Sequence, residues 1–242
     1  MMTEASSSPG SGGGTAHGPL ARSLVKLAGT PDDASDLDDQ LVAIAQLAAE
    51  NLAAVSYAST TVLRDDAYTT VAATSALATA VDEAQYADGD GPCLEALDSG
   101  RPVSVPDMAT TMRWPGFRET ARGLGLHASL SVPLFAGRGD AVASMNLYGR
   151  DAIAMTDLSL RVKAAFHTPD PAHRPEATGA DDLADGLARA LAVRDRIQLA
   201  VGMLAERTRC SMADAYLSLR VHAADAGIPL PDMASRTLQQ RS

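Results

Sequence analysis

The sequence predicts two folded units in succession: an α+β domain in which helices cover an antiparallel sheet, then an all-α unit of three helices. Three observations lead there. Residues 37–166 alternate between helical and strand periodicity. Residues 181–242 show helical periodicity alone. A chain of 242 residues is long enough for two separate cores. The expected division is a tail over 1–19, the α+β domain over 20–166, a Pro-rich linker over 167–180 and the helical unit over 181–242.

Residues 1–19 form a Ser/Gly-rich run with few apolar side chains, and disorder is expected there. Asp36 can cap a helix whose apolar face is Leu37, Leu41, Ile44, Leu47, Ala48 and Leu52. Strands follow at about 55–63 and 68–74, with Arg64-Asp65-Asp66 as the turn, and a helix fits 78–86. The Gly-rich run 88–91 enters a short helix with Pro92 in its first turn. A short strand at 102–105 precedes a helix opened by Trp114-Pro115, and strands at 127–134 and 141–148 complete the sheet. Thr156 is the expected cap of a last helix ending at Phe166. Pro169, Pro171 and Pro175 then exclude a continuous helix between the units. They read as a semi-rigid tether, with coupling left to dimerisation.

The helical unit starts with a long helix from Leu183 to about Thr208. Leu183, Leu187, Ala190, Arg194, Ile197, Val201 and Leu204 step by 4 and 3 residues in turn, a heptad seam. Within it Leu187, Ala190, Ile197, Val201 and Leu204 are the candidate dimer seam. Ser211 and Asp214 form an imperfect capping box for a second helix that stops near Gly227. Residues 229–240 give a third. Ala200 and Gly202 leave a low spot on the long helix, where the other helices can pack or a ligand can rest.

Charge is uneven. The chain holds 20 basic and 30 acidic residues, net −10, whereas residues 181–242 hold 8 of each and every basic residue there is Arg. An Arg guanidinium can grip a phosphate with two hydrogen bonds or stack on an unpaired base. The neutral, all-Arg segment is therefore the part of an acidic chain best able to approach nucleic acid, with a modest salt dependence. The plain alternative for each single Arg is a solvated helix face.

Other chemistry finds little support. No P-loop, GxSxG elbow or kinase motif occurs. His17, His127, His167, His173 and His222 lack metal-ligand spacing, so no metal, cofactor or catalytic residue is assigned. Cys93 and Cys210 fall in different units, which makes a structural disulfide unexpected and a reducing cytoplasm the natural setting. Cys93 at a helix start has two readings: a buried, inert thiol, or a redox-sensing thiolate. No signal-peptide pattern and no apolar run approaching 18 residues is present, so no membrane partner is expected.

Two resemblances sharpen this. Arg194-x-x-Ile197-x-x-Ala200-x-Gly202-x-Leu204, Ser211-x-x-Asp214-Ala215-Tyr216-x-x-Leu219-Arg220 and Leu230-x-Asp232-x-Ala234 resemble the ANTAR domain, the three-helix RNA-binding module of bacterial antiterminators. Two departures are Val201, where a polar residue is usual, and Gly-Ile-Pro-Leu-Pro at 227–231. Gly91-Pro92-Cys93-Leu94-Glu95-Ala96-Leu97, Gly100-Arg101-Pro102-Val103, Arg113-Trp114-Pro115-x-Phe117, Ser131-Val132-Pro133-Leu134 and Asn146-Leu147-Tyr148 resemble the GAF domains that precede ANTAR in actinobacterial regulators. Together they imply a signal-responsive, dimeric regulator that binds tandem RNA hairpins of nascent transcripts and acts by antitermination. The GAF-like part would sense an unknown small molecule. Arg194, Ala200, Gly202, Arg207, Arg209, Arg220 and Arg236 are the candidate RNA-binding residues. The alternatives are a ligand- or partner-binding dimerisation module without RNA activity, and a Cys93 redox sensor.

Overall fold

The computed structural model describes residues 18–167 and 179–240. The elements in chain order are α1 (Pro19–Gly29), α2 (Leu37–Asn51), β1 (Tyr57–Arg64), β2 (Ala67–Ala73), α3 (Ala76–Asp88), α4 (Pro92–Ser99), β3 (Val103–Val105), α5 (Pro115–Gly123), β4 (Ala128–Phe135), β5 (Ala141–Gly149), α6 (Ala152–His167), α7 (Gly179–Thr208), α8 (Met212–Ala226) and α9 (Leu230–Gln239). The expected α+β domain followed by a helical unit is what forms.

The five strands lie in the order β2-β1-β5-β4-β3, every neighbouring pair antiparallel. Asp65 and Asp66 both take positive φ, 49° and 60°, which gives the β1–β2 hairpin a two-residue turn matched to strand twist. Strict alternation along the strands then sorts the side chains. Ala58, Val62, Leu130, Val132, Leu134, Met145 and Leu147 point into one large core with α1, α2, α6 and the first half of α7. Ser59, Thr61, Ser129, Ser131, Ser144, Asn146 and Tyr148, also buried, point to the other face, beneath α3 and α4. A second apolar cluster of Val81, Met108, Trp114, Phe117 and Leu126 closes the α3–α5 side.

Helix α1 has no counterpart among the expected elements. Leu20, Leu24 and Leu27 recur at helical spacing and are buried, Pro19 starts the helix, and it packs chiefly on α7. Asp182 of α7 accepts hydrogen bonds from the amides of Gly18 (2.7 Å) and Ala21 (3.2 Å), so it serves as the cap that α1 lacks locally. Gly186 allows the close approach, since a Cβ there would lie 2.5 Å from Ala21 Cα.

Two expected caps are corrected. Thr156 lies inside α6 and bonds back to the Ala152 carbonyl, while Asp151 accepts from the amides of Ile153 and Ala154. Asp36 precedes α2 but makes no capping bond; its carboxylate takes Lys26 and Gln40 instead. Residues 1–17 of the tail and 168–178 of the linker lie outside the described residues. The helices flanking that linker pack on each other, and Leu183, Ala184, Leu187 and Ala188 belong to the core of the α+β domain. The two units are therefore in direct contact through α7, while the expected tether itself falls on residues outside those described.

Candidate nucleic-acid interface and domain contact

The helical unit has its own small core. Ile197, Ala200 and Val201 of α7 meet Ala215, Tyr216, Leu219 and Ala223 of α8 and Leu230 and Ala234 of α9. Ser211 Oγ accepts the Asp214 amide at 3.1 Å and bonds to its carboxylate at 2.7 Å, fixing the start of α8. Gly227, at φ 62°, ends it. The two halves of the Ala-x-Gly pair separate in role. Ala200 is fully buried, and a larger side chain would push α8 and α9 away. A Cβ on Gly202 would meet nothing within 4 Å, so that position stays open.

The residues read as a dimer seam are engaged within the chain. Leu187 and Ala190 pack into the core shared with α1 and the sheet. Ile197, Val201 and Leu204 pack against α8 and α9. One helix face accommodates one set of neighbours, so a seam with a second copy requires these contacts to open.

The candidate arginines divide into two groups. Arg207, Arg209 and Arg236 are exposed. Arg194 and Arg220 instead reach the α+β domain. Arg194 Nε donates to the Gly139 carbonyl at 2.6 Å, with its guanidinium 4.3 Å from the Phe135 ring centre. Arg220 donates to both carboxylate oxygens of Asp33, at 2.6 and 2.9 Å. Further polar contacts join the same surfaces. Tyr216 donates its hydroxyl to Asp32 at 3.0 Å, Arg138 pairs with Asp32 at 3.3 Å, and Gln198 donates to the Arg138 carbonyl. Burial, and then the Asp32 charge, pushes the Tyr216 phenol up. The Asp32-Asp33 pair was visible in sequence, but nothing local connects it to a helix more than 180 residues away.

The polar face of the sheet forms the other candidate site. Asp82 of α3 is fully buried. Tyr148 donates to Asp82 at 2.5 Å, Thr70 at 3.0 Å and Asn146 at 3.1 Å. Burial raises its carboxyl to about 6, against the lowering pull of these donors and Ser59. Gln85 joins the network, accepting the Cys93 amide at 2.9 Å and donating to the Tyr148 hydroxyl at 3.3 Å. Gly91 makes this possible, because a Cβ there would lie 2.4 Å from Gln85 Oε1. The Gly-Pro-Cys motif thus threads past a side chain of α3. Cys93 is fully buried, and burial followed by the nearby Asp82 charge pushes its thiol well up. The Ser129 and Ser131 hydroxyls are buried without a hydrogen-bond partner. Among the described residues no group of His, Cys, Asp and Glu is arranged to hold a metal ion, and no helix is long and apolar enough to cross a membrane.

Comparison with known proteins agrees with this geometry. A GAF domain family profile matches residues 34–166, and an ANTAR domain profile matches residues 185–237. No curated protein matches the chain. Among solved structures, a domain assigned to a two-component sensor histidine kinase from Sinorhizobium meliloti 1021 aligns at 14% identity over 67% of this chain and 93% of that one, with TM-score 0.42. A type II free methionine-R-sulfoxide reductase from Thermoplasma acidophilum aligns at 14% identity over 68% and 94%, with TM-score 0.39.

Proposed function

Since the chain belongs to the GAF domain family and carries an ANTAR domain at its C-terminal end, we propose that it is a signal-responsive regulator that binds RNA hairpins and acts by antitermination. ANTAR domains bind RNA and GAF domains are signal sensors; the hairpin target and the antitermination step are the proposed part. The observation that carries the reading is the ANTAR match on a three-helix unit with its own core, in which Arg207, Arg209 and Arg236 are exposed. Such a unit can present cations to phosphates without disturbing its own fold. The proposal includes a cytoplasmic setting, a homodimer and an unidentified small-molecule ligand of the GAF domain.

The test is filter binding of the full chain to an RNA with two short hairpins in tandem. Arg207→Ala, Arg209→Ala and Arg236→Ala together should weaken binding by roughly tenfold or more for each arginine that touches RNA, since a charge-assisted bond is worth about 1.5–3 kcal/mol. Unchanged affinity in a folded triple variant removes these residues from the interface. The redox alternative has less support, because Cys93 is fully buried and burial pushes its thiol up, away from the reactive thiolate.

A further inference from the structure

We propose that the Asp32-Asp33 loop and the β4–β5 turn form a latch that covers Arg194, Tyr216 and Arg220, so that RNA and the GAF domain compete for one cationic face of the ANTAR unit. This rests on the RNA-binding reading above. A carboxylate that takes a guanidinium through both oxygens occupies the place an RNA phosphate would take, because both anions use the same donors. Asp33 does this to Arg220, and Asp32 takes Tyr216 from the preceding turn of α8 while pairing with Arg138. Tyr216 and Arg220 are therefore held by adjacent acids of one loop.

The β4–β5 turn is shaped for this contact by its own sequence. Gly137 and Gly139 flank Arg138 with φ of 45° and 99°, a conformation other residues rarely adopt. A Cβ on Gly137 would lie 2.2 Å from the Tyr216 hydroxyl and 2.9 Å from the Asp32 amide nitrogen. A Cβ on Gly139 would lie 2.2 Å from Gln198 Nε2. Bare backbone at both positions lets the turn lie against α7 and α8, where its carbonyls receive Arg194 and Gln198.

The latch is built to open. The Arg220 and Asp33 side chains are 27% and 64% exposed, so water and salt reach the pair and a stronger anion can displace it. Its turn also ends the two strands that carry Ser129, Ser131, Ser144, Asn146 and Tyr148 on the polar face. A ligand that shifts this hairpin would shift the turn, which gives the sensor a physical route to the RNA face.

The experiment compares the full-length chain with its Asp32→Asn/Asp33→Asn variant, in binding to a tandem-hairpin RNA and in amide exchange of residues 212–226 without RNA. The latch predicts about tenfold tighter RNA binding and faster exchange in α8 in the variant. Adding Arg220→Ala should cancel most of the gain in affinity. Equal or weaker RNA binding by the variant, alongside a wild-type chain that does bind, overturns the latch while leaving the RNA reading intact. Failure of every form to bind RNA at low salt overturns the RNA reading, and the competition with it. Unchanged exchange in α8 overturns the latch independently of any RNA.

Discussion

The two halves of the long helix α7 are joined to the GAF domain in different ways. The first half is mainly apolar: Leu183, Leu187 and Ala188 share a core with Leu20, Leu24 and the apolar face of the sheet, with Asp182 capping α1 and Asp181 paired with Arg161 at its start. Only Gly186 fits against Ala21. The second half has a separate core with α8 and α9, and this unit meets the GAF domain through polar groups: Arg194 on Gly139 and Gln198 on Arg138 from α7, and Arg220 on Asp33 and Tyr216 on Asp32 from α8. Apolar burial is not screened by salt and is costly to expose, whereas exposed ion pairs contribute little and exchange readily. The attachment is thus apolar at the start of α7 and polar at the far end, and the polar end is the part proposed to release.

Breaking the apolar end should have the largest effect. Leu187→Ala removes a buried side chain from a core with few ways to collapse, and should cost about 2–5 kcal/mol in urea unfolding. Gly186→Val should act in the same direction, because its Cβ would press on Ala21 backbone. A loss below about 1 kcal/mol for Leu187→Ala would mean that this end is not core.

A mid-sized effect is expected inside the sensor and separates it from both ends of the helix. The Asp82 carboxyl stands at about 6 against an ordinary 3.8. The folded chain therefore holds its proton more tightly than the unfolded chain. That contribution is complete below pH about 4 and is lost as pH rises through about 6, a change of about 3 kcal/mol at roughly 1.36 kcal/mol per unit. Asp82→Asn should flatten the stability profile across this window, and an unaltered slope would assign it to other groups.

The smallest stability effect belongs to the polar end. Asp33→Asn should change unfolding free energy by less than about 1 kcal/mol, because the pair it removes is partly exposed. A loss comparable to that of Leu187→Ala would contradict the contrast between the halves.

What could be read from sequence follows the range of the interactions. The helical spacing of α7, the Ser211 cap and the strand segments on either side of the Arg64-Asp65-Asp66 turn are local patterns, and they appear close to where they are expected, with Arg64 ending β1 rather than opening the turn. Helix α1 was legible in principle, since Leu20, Leu24 and Leu27 keep helical spacing, but it follows a Ser/Gly-rich tail and its cap comes from Asp182. The heptad seam was real as a pattern but silent about its partner: the same apolar spacing serves α1, α8 and α9 within the chain as well as it would a second copy. The candidate arginines were legible as a group, yet nothing in their spacing separates Arg220 from Arg236. The difference is Asp33, a neighbour brought by the tertiary fold. Asp82 gave no signal at all, because an acid on a helix ordinarily faces water.

The contrast between the two ends of α7 is tested most directly by amide exchange of the full-length chain, with and without tandem-hairpin RNA. RNA should raise exchange at residues 30–33 and 136–140, which give up their partners on α7 and α8, while residues 19–29 and 181–190 stay protected. Loops that remain as protected with RNA bound as without it, or a uniform loss of protection through α1 and the whole of α7, would contradict it.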